Sequence, residues 1–329
     1  MKKILLTLSA AALCAAVFTG CGKKESGASG KADSSNKLVV WSFTDEIEGL
    51  VNDYYKPAHP DVQVEYSFTP TDQFPNKLDP VLAAGEGCPD VFGLENAFVR
   101  KYIESGLLLN LDDVYAEVKD KMAAYPMDIG RGPDGHIYGM AWQVAPGALF
   151  YRRSLAKQYL GTDDPDEVQK YVKDLDTFVQ TAALLKDKSN GKCDIVSSTG
   201  DMLMPYKGAR KQPWVVDDKL VIDPAMEKYM DMCKELHDKD YEGRVDQWSE
   251  GWYAGMKGTL QDEKGKGVEV FCYLLPTWGL HYVLKTNAPD TAGDWAMCKG
   301  PANYYWGGTW VAAYKGTKNP NAAKEMIKY

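Results

Sequence analysis

The sequence predicts an α/β protein built as two lobes, and three observations carry that prediction. The chain has 329 residues, 45% hydrophobic and 26% charged, a globular composition with length for two cores. Near its start, the apolar run 38–43 is followed by a helical-period stretch and then by alternation at Val62, Val64, Tyr66 and Phe68, a β-α-β order. At Pro146-Gly147 the pattern breaks, and Ala148-Leu149-Phe150-Tyr151 resumes as strand, which reads as a crossing into a second lobe.

The N-terminus comes before either lobe. Lys2 and Lys3 precede a short apolar run, residues 4–17, too short for a permanent span. Phe18-Thr19-Gly20-Cys21 then resembles a bacterial lipobox, so a signal peptide over 1–20 is expected, with lipid on Cys21. Ordinary secretion with cleavage nearby is the alternative. Residues 21–36 are rich in Gly, Ser, Lys and Asp and read as a flexible tether. The folded body is therefore expected at the outer face of the bacterial cytoplasmic membrane.

The first lobe should run as follows. The strand at 38–43 leads to a helix with Ile47, Leu50, Val51, Tyr54 and Tyr55 on its apolar face, Asp45 and Glu48 as a capping pair, and Pro57 as its stop. Residues 74–84 read as a helix despite Pro75 and Pro80. Asp90-Val91-Phe92-Gly93-Leu94 is a short strand. Phe98, Tyr102 and Ile103 line a helix ended by Gly106, and Asp112-Asp113 is a candidate cap for the next. Asp134-Gly135 signals a turn and 137–142 is extended.

In the second lobe, Asp164 should cap a helix with Pro165 at its first position. Its apolar face would run through Val168, Tyr171, Val172, Leu175, Phe178, Val179 and Ala182 to a stop at Asn190-Gly191. Asp223-Pro224 repeats the start signal, with Met226, Met230, Cys233 and Leu236 as the buried stripe. Residues 247–267 are ambiguous, with Trp248 and Trp252 one turn apart if helical. Residues 268–275 and 310–314 are strands. Between them four aromatics fall within residues 304–310, interrupted by Gly307-Gly308, a spacing that neither a helix nor a strand period explains. Such a bend either packs in the core or presents rings to a flat ligand. Asn319-Pro320 starts a last helix, with Ala322, Ala323, Met326 and Ile327 inward. Its apolar face is still running at Tyr329, so the chain is expected to be cut short.

Composition narrows the function. A formal charge of −8 and a pI near 5.2 argue against nucleic acid. Four histidines without ligand spacing argue against a metal centre, and no cofactor is expected. Cys88, Cys193, Cys233, Cys272 and Cys298 are an odd, scattered set, better read as buried free thiols than as a disulfide framework.

In order, the lipobox, Leu38-Val39-Val40-Trp41, Pro89-Asp90-Val91-Phe92, Gly135-His136-Ile137-Tyr138-Gly139-Met140, Ala148-Leu149-Phe150-Tyr151, Gly307-Gly308-Thr309-Trp310 and residues 317–323 resemble one family. It is the extracellular solute-binding proteins of bacterial ABC importers, the carbohydrate-binding group that includes maltose-binding protein. The strand that reads on as Tyr-Asn-Lys in that family reads Tyr151-Arg152-Arg153 here, without the asparagine. The resemblance implies a type II periplasmic-binding fold, two α/β lobes joined at a hinge with a ligand cleft between them. It implies a carbohydrate, an oligosaccharide, as ligand, ABC permease subunits as partners, a monomer, and no enzyme activity. On this reading lobe one takes 37–142 and lobe two 143–275. Residues 276–318 return to lobe one and the hinge, and 319–329 begin a C-terminal helical segment.

A sugar cleft needs flat aromatic surfaces for ring faces, with carboxylates or amides for hydroxyls. Nine tryptophans and twenty tyrosines supply many candidates. Trp278, Tyr305, Trp306 and Trp310 lie near strand ends or bends, and Trp142 lies just before the crossing. Asp45 and Glu46 follow the first strand at its carboxyl end, where open α/β sheets place ligands, and Glu95 follows another. Core packing is the competing reading for each indole, and helix capping for Asp45. Arg152 and Arg153 are candidates to pair with carboxylates across the cleft. Asp294 is either ligand-facing or a turn residue. Two other functions compete: a polyamine or other small polar solute in the same fold, and a lipid-anchored glycoside hydrolase, for which no motif nominates a carboxylate pair. A sensor with the same layout is a third.

Overall fold

A computed structural model describes residues 35–329. The expected signal peptide, Cys21 and the tether up to residue 34 lie outside the described residues. In chain order come β1 (Lys37–Ser42), β2 (Gln63–Phe68), β3 (Val91–Glu95) and β4 (Met140–Ala141). Next are β5 (Gly147–Arg152), β6 (Cys193–Val196), the hairpin strands β7 (Val215–Val216) and β8 (Lys219–Leu220), β9 (Glu269–Pro276), β10 (Trp295–Cys298) and β11 (Thr309–Ala313).

The strands sort into two main sheets. The first has the order β2-β1-β3-β11-β4 and the second β10-β5-β9-β6. β1 is parallel to β2 and β3, while β11 runs antiparallel to β3 and β4. β3 is buried over Val91–Leu94, as expected of a central strand covered on both faces. Its side chains divide between two cores. Val91 joins Val40, Val311 and the last helix, Pro320–Lys328, while Phe92 and Leu94 join Phe74, Tyr102 and Trp310. The second sheet is covered in the same way, by Phe178, Leu185 and Leu236 on one side and by Trp252, Met256 and Val283 on the other.

The chain passes from the first sheet to the second between β4 and β5. It stays there longer than expected. β10 pairs with β5, and Val283, Leu284 and Ala288 pack in the second core, so the return falls between Cys298 and Thr309 rather than at 276. β10 reads Trp-Ala-Met-Cys, apolar throughout but only four residues long and without alternation, so nothing in it marks which sheet it joins.

Local chemistry explains the other differences. Asp45 sits in helical backbone and makes no side-chain cap bond; Thr44 Oγ1 instead accepts from the Glu46 amide at 3.3 Å. A π turn, Val51–Tyr55, carries the first helical stretch past Pro57 to Ala58. Asp112 ties its helix to the neighbouring loop, accepting from the Ile137 amide at 2.8 Å. The long helix expected from Asp164 is two helices, Pro165–Tyr171 and Leu175–Lys188. Asp164 caps the first, and Asp174 caps the second through the Thr177 amide at 2.7 Å. Asp223 caps Pro224–Asp238 as expected, but the buried residues of that helix are Met232 and Leu236, with Met230 exposed. Among the described residues all five cysteines are free, and Cys193, Cys272 and Cys298 are buried.

Candidate functional site

A cavity of about 360 Å³ lies between the two sheets. From the first sheet it takes Phe43, Thr44 and Glu46 after β1, Thr71 after β2 and Glu95 at the end of β3. These are the carboxyl ends of parallel strands, where helices and loops leave the sheet and side chains are free to face a ligand. Across the cavity stand Trp278 and Tyr282, which follow β9, and Trp306 on the returning segment. Gln143 and Gly307–Thr309, from the two crossing segments, close its hinge side.

The two walls differ in chemistry. Glu46 Oε2 accepts from Trp142 Nε1 at 3.3 Å, which orients the carboxylate. Glu95 Oε2 accepts from the Ala97 amide at 2.5 Å. Burial pushes the Glu95 carboxyl above its usual range, offset in part by amide bonds from Ala97 and Asn96 and by the charge of Lys207. Opposite, Trp278 Nε1 donates to the Trp306 carbonyl at 3.0 Å, and the two indoles meet edge to face at 5.6 Å between centroids. Both rings are thereby fixed before anything binds.

Gly307 makes this meeting possible. Its φ of +79° disfavours any side chain, and a Cβ there would lie 3.1 Å from Trp278 Nε1 and 3.6 Å from Glu95 Oε1. The backbone thus threads between the indole of one wall and the carboxylate of the other.

The lining contains Glu46, Glu95, Trp278 and Trp306 from the residues nominated by sequence. The other four stand outside it. Asp45 is exposed beside the rim. Trp142 acts through its bond to Glu46 and borders a separate apolar groove with Ile47, Leu50 and Tyr329. Tyr305 is 54% exposed and stacks on Tyr125 at 4.1 Å on the crossing segment. Trp310 is a core residue, 1% exposed, with Nε1 donating to the Pro126 carbonyl at 2.8 Å. Arg152 pairs with Asp294 at 2.6 Å within the second lobe, and Arg153 with Asp163. Asp294 also accepts from the Ser154 amide at 2.7 Å, so it fastens β10 to the helix after β5.

Sequence reasoning passed over Thr71, Gln143 and Tyr282. Thr71 was within reach of the strand-end argument already used for Glu46. Tyr282 lies one turn after Trp278, and its amide donates to the Trp278 carbonyl at 3.0 Å, a spacing visible in the sequence.

The model of the family described as bacterial extracellular solute-binding protein matches residues 41–329. An arabinooligosaccharide-binding protein of Bacillus subtilis (strain 168) is 25% identical over 167 residues, 47% of this chain. The match spans only 36% of that relative. Among solved structures, an extracellular solute-binding protein of family 1 superposes with a TM-score of 0.74 at 20% identity, covering 88% of this chain and 74% of the other. The galacto-N-biose-/lacto-N-biose I-binding protein of an ABC transporter from Bifidobacterium longum, solved with lacto-N-biose, gives 0.69 at 19% identity, covering 89% and 73%. These likenesses show the fold, the two-lobed type II periplasmic-binding architecture.

Proposed function

The chain belongs to the bacterial extracellular solute-binding proteins, and from that premise we propose that it captures a carbohydrate, an oligosaccharide, and delivers it to the permease of an ABC importer. The observation that carries this reading is the asymmetry of the cleft. Trp278, Trp306 and Tyr282 offer faces to the apolar side of a sugar ring, while Glu46, Glu95, Thr44 and Thr71 offer oxygens to its hydroxyls. The names of the relatives add support, since the curated one binds arabino-oligosaccharides and one solved structure holds lacto-N-biose.

Binding on this account breaks no bond. The lobes close about the two crossing segments, 142–146 and 299–308, and bring the indoles onto a ligand first held by the carboxylates. The closed form docks on the permease. The lipobox supports attachment through Cys21 to the outer face of the cytoplasmic membrane, with the protein working as a monomer. No helix among the described residues is long and apolar enough to cross a membrane.

A second reading, a polyamine as ligand, draws on the same two carboxylates beside aromatic rings. A thermal-melt panel separates the two. A ligand bound by the folded state alone raises the melting temperature. Neutral oligosaccharides should raise it and spermidine should not; a rise with spermidine alone would overturn the carbohydrate reading.

A further inference from the structure

Trp248 adjoins both indoles of the described wall. Its ring centroid lies 5.6 Å from that of Trp306 and 6.4 Å from that of Trp278, with the latter pair only 17° from parallel. It is 43% exposed. Its backbone is at φ +70°, a left-handed conformation that a bulky side chain adopts only where its surroundings dictate it.

Those surroundings converge on one buried carboxyl group. Asp201 is 1% exposed, and the groups that bond to its carboxylate, Gln247, Trp252 and the Ser198 backbone, are uncharged. Its Oδ1 accepts from Gln247 Nε2 at 2.7 Å and from Trp252 Nε1 at 2.9 Å. Gln247 is the residue before Trp248. Trp252 is the indole beneath it, 4.7 Å away between centroids. One oxygen therefore holds both the chain entering the strained residue and the ring on which that residue rests. Ser249 adds a third restraint, capping the helix Glu250–Lys257 through the Trp252 amide at 3.2 Å.

We propose that Trp248 is a third indole of the ligand wall and that Asp201 is the residue that positions it. The proposal rests on reading the cleft as a carbohydrate site, and it adds to the aromatic surface offered there a ring close to parallel with Trp278. Asp201 touches no ligand. It acts as a hydrogen-bond acceptor behind the wall, so an amide oxygen in its place should serve.

The test needs a readout of Trp248 that requires no ligand. Iodide quenching of tryptophan emission, taken as the difference between each protein and its Trp248→Phe counterpart, reports that one ring. Asp201→Asn keeps the acceptor and should leave the Trp248 quenching constant unchanged. Asp201→Leu removes the acceptor and Gln247→Ala one donor; both should raise the constant at least twofold. Gln247→Ala also guards against a failure of Asp201→Leu to fold. Equal quenching in all three would overturn the positioning role. For the ligand role, Trp248→Ala should weaken at least tenfold the binding of whichever of arabinotriose, maltotriose and β-1,6-galactobiose stabilises the unaltered protein. Unchanged affinity would overturn it. Failure of the carbohydrate reading is a different result: no sugar then moves the melt of the unaltered protein, while the quenching series still decides what Asp201 does.

Discussion

The two walls of the cleft reach rigidity by different routes. The second lobe holds its indoles against one another. Trp278 bonds to the Trp306 backbone, and Trp248 packs on both. The first lobe holds single carboxylates by separate local bonds, Glu46 from Trp142 and Glu95 from the amide of Ala97. An aromatic wall supplies area and tolerates variation in the ring it meets. A carboxylate supplies direction and is sensitive to the position of each hydroxyl. The contrast predicts that damage to the second lobe lowers affinity for every sugar, and damage to the first changes which sugar is preferred.

The largest effect lies behind the aromatic wall. Burial raises the Asp201 carboxyl to about 7, against bonds from Gln247 and Trp252 that favour its anion. An unfolded aspartate loses its proton near 3.8. Between those values the folded state holds a proton that the unfolded state has lost. The contribution of Asp201 to stability is therefore fullest below pH 4, falls as pH rises toward 7, and is flat above, by about 4 kcal/mol at most. Tyr229, Tyr273, Tyr304 and Cys272 are the titratable neighbours, all shifted upward and neutral in this window. Urea melts of Asp201→Asn across pH 4–8 should show a shallower fall, the remainder coming from Asp194, whose carboxyl burial raises to about 6. An unchanged slope would remove Asp201 as its source.

Trp306→Ala comes next. Loss of one stacking face should cost about 2 kcal/mol, roughly thirtyfold in Kd, for all bound sugars alike. Titration calorimetry across several sugars would read it, and a loss confined to one of them would break the division of labour between the walls. Gly307→Ala should destabilise the protein by about 2 kcal/mol, because its φ is positive and its Cβ meets Trp278. Denaturant midpoints would test this. Glu95→Gln should cost about 1.5 kcal/mol, unevenly between sugars. In the unaltered protein affinity should fall as acid protonates Glu95, whose carboxyl is already raised by burial, and the glutamine variant should flatten that dependence. The smallest effect is that of Asp45→Ala, below about 0.5 kcal/mol in stability, since Asp45 makes no cap bond.

Much of this molecule is written in its apolar periodicity. The strand at 38–43, the helix Phe74–Ala84 and the start at Asp223 could all be placed from residues alone. The cleft was harder. Trp306 and Trp310 are four residues apart in one aromatic run, yet the first lines the cavity and the second is core. Two glycines at positive φ between them reset which way the chain faces, and no period survives such a reset. Trp248 was hidden for a related reason: its position depends on Asp201, distant in sequence. Asp45 and Met230 failed on finer grounds, a cap bond taken by Thr44 and a stripe shifted around its helix.

The central claim is that the paired indoles form the surface on which a neutral sugar lies. Titration calorimetry of the purified chain and of Trp278→Ala, using a sugar found by the melt panel, tests it most directly. The account predicts a Kd raised at least tenfold in the variant, with spermidine giving no heat in either protein. Equal affinity in the two proteins, or binding of spermidine but of no sugar, would contradict it.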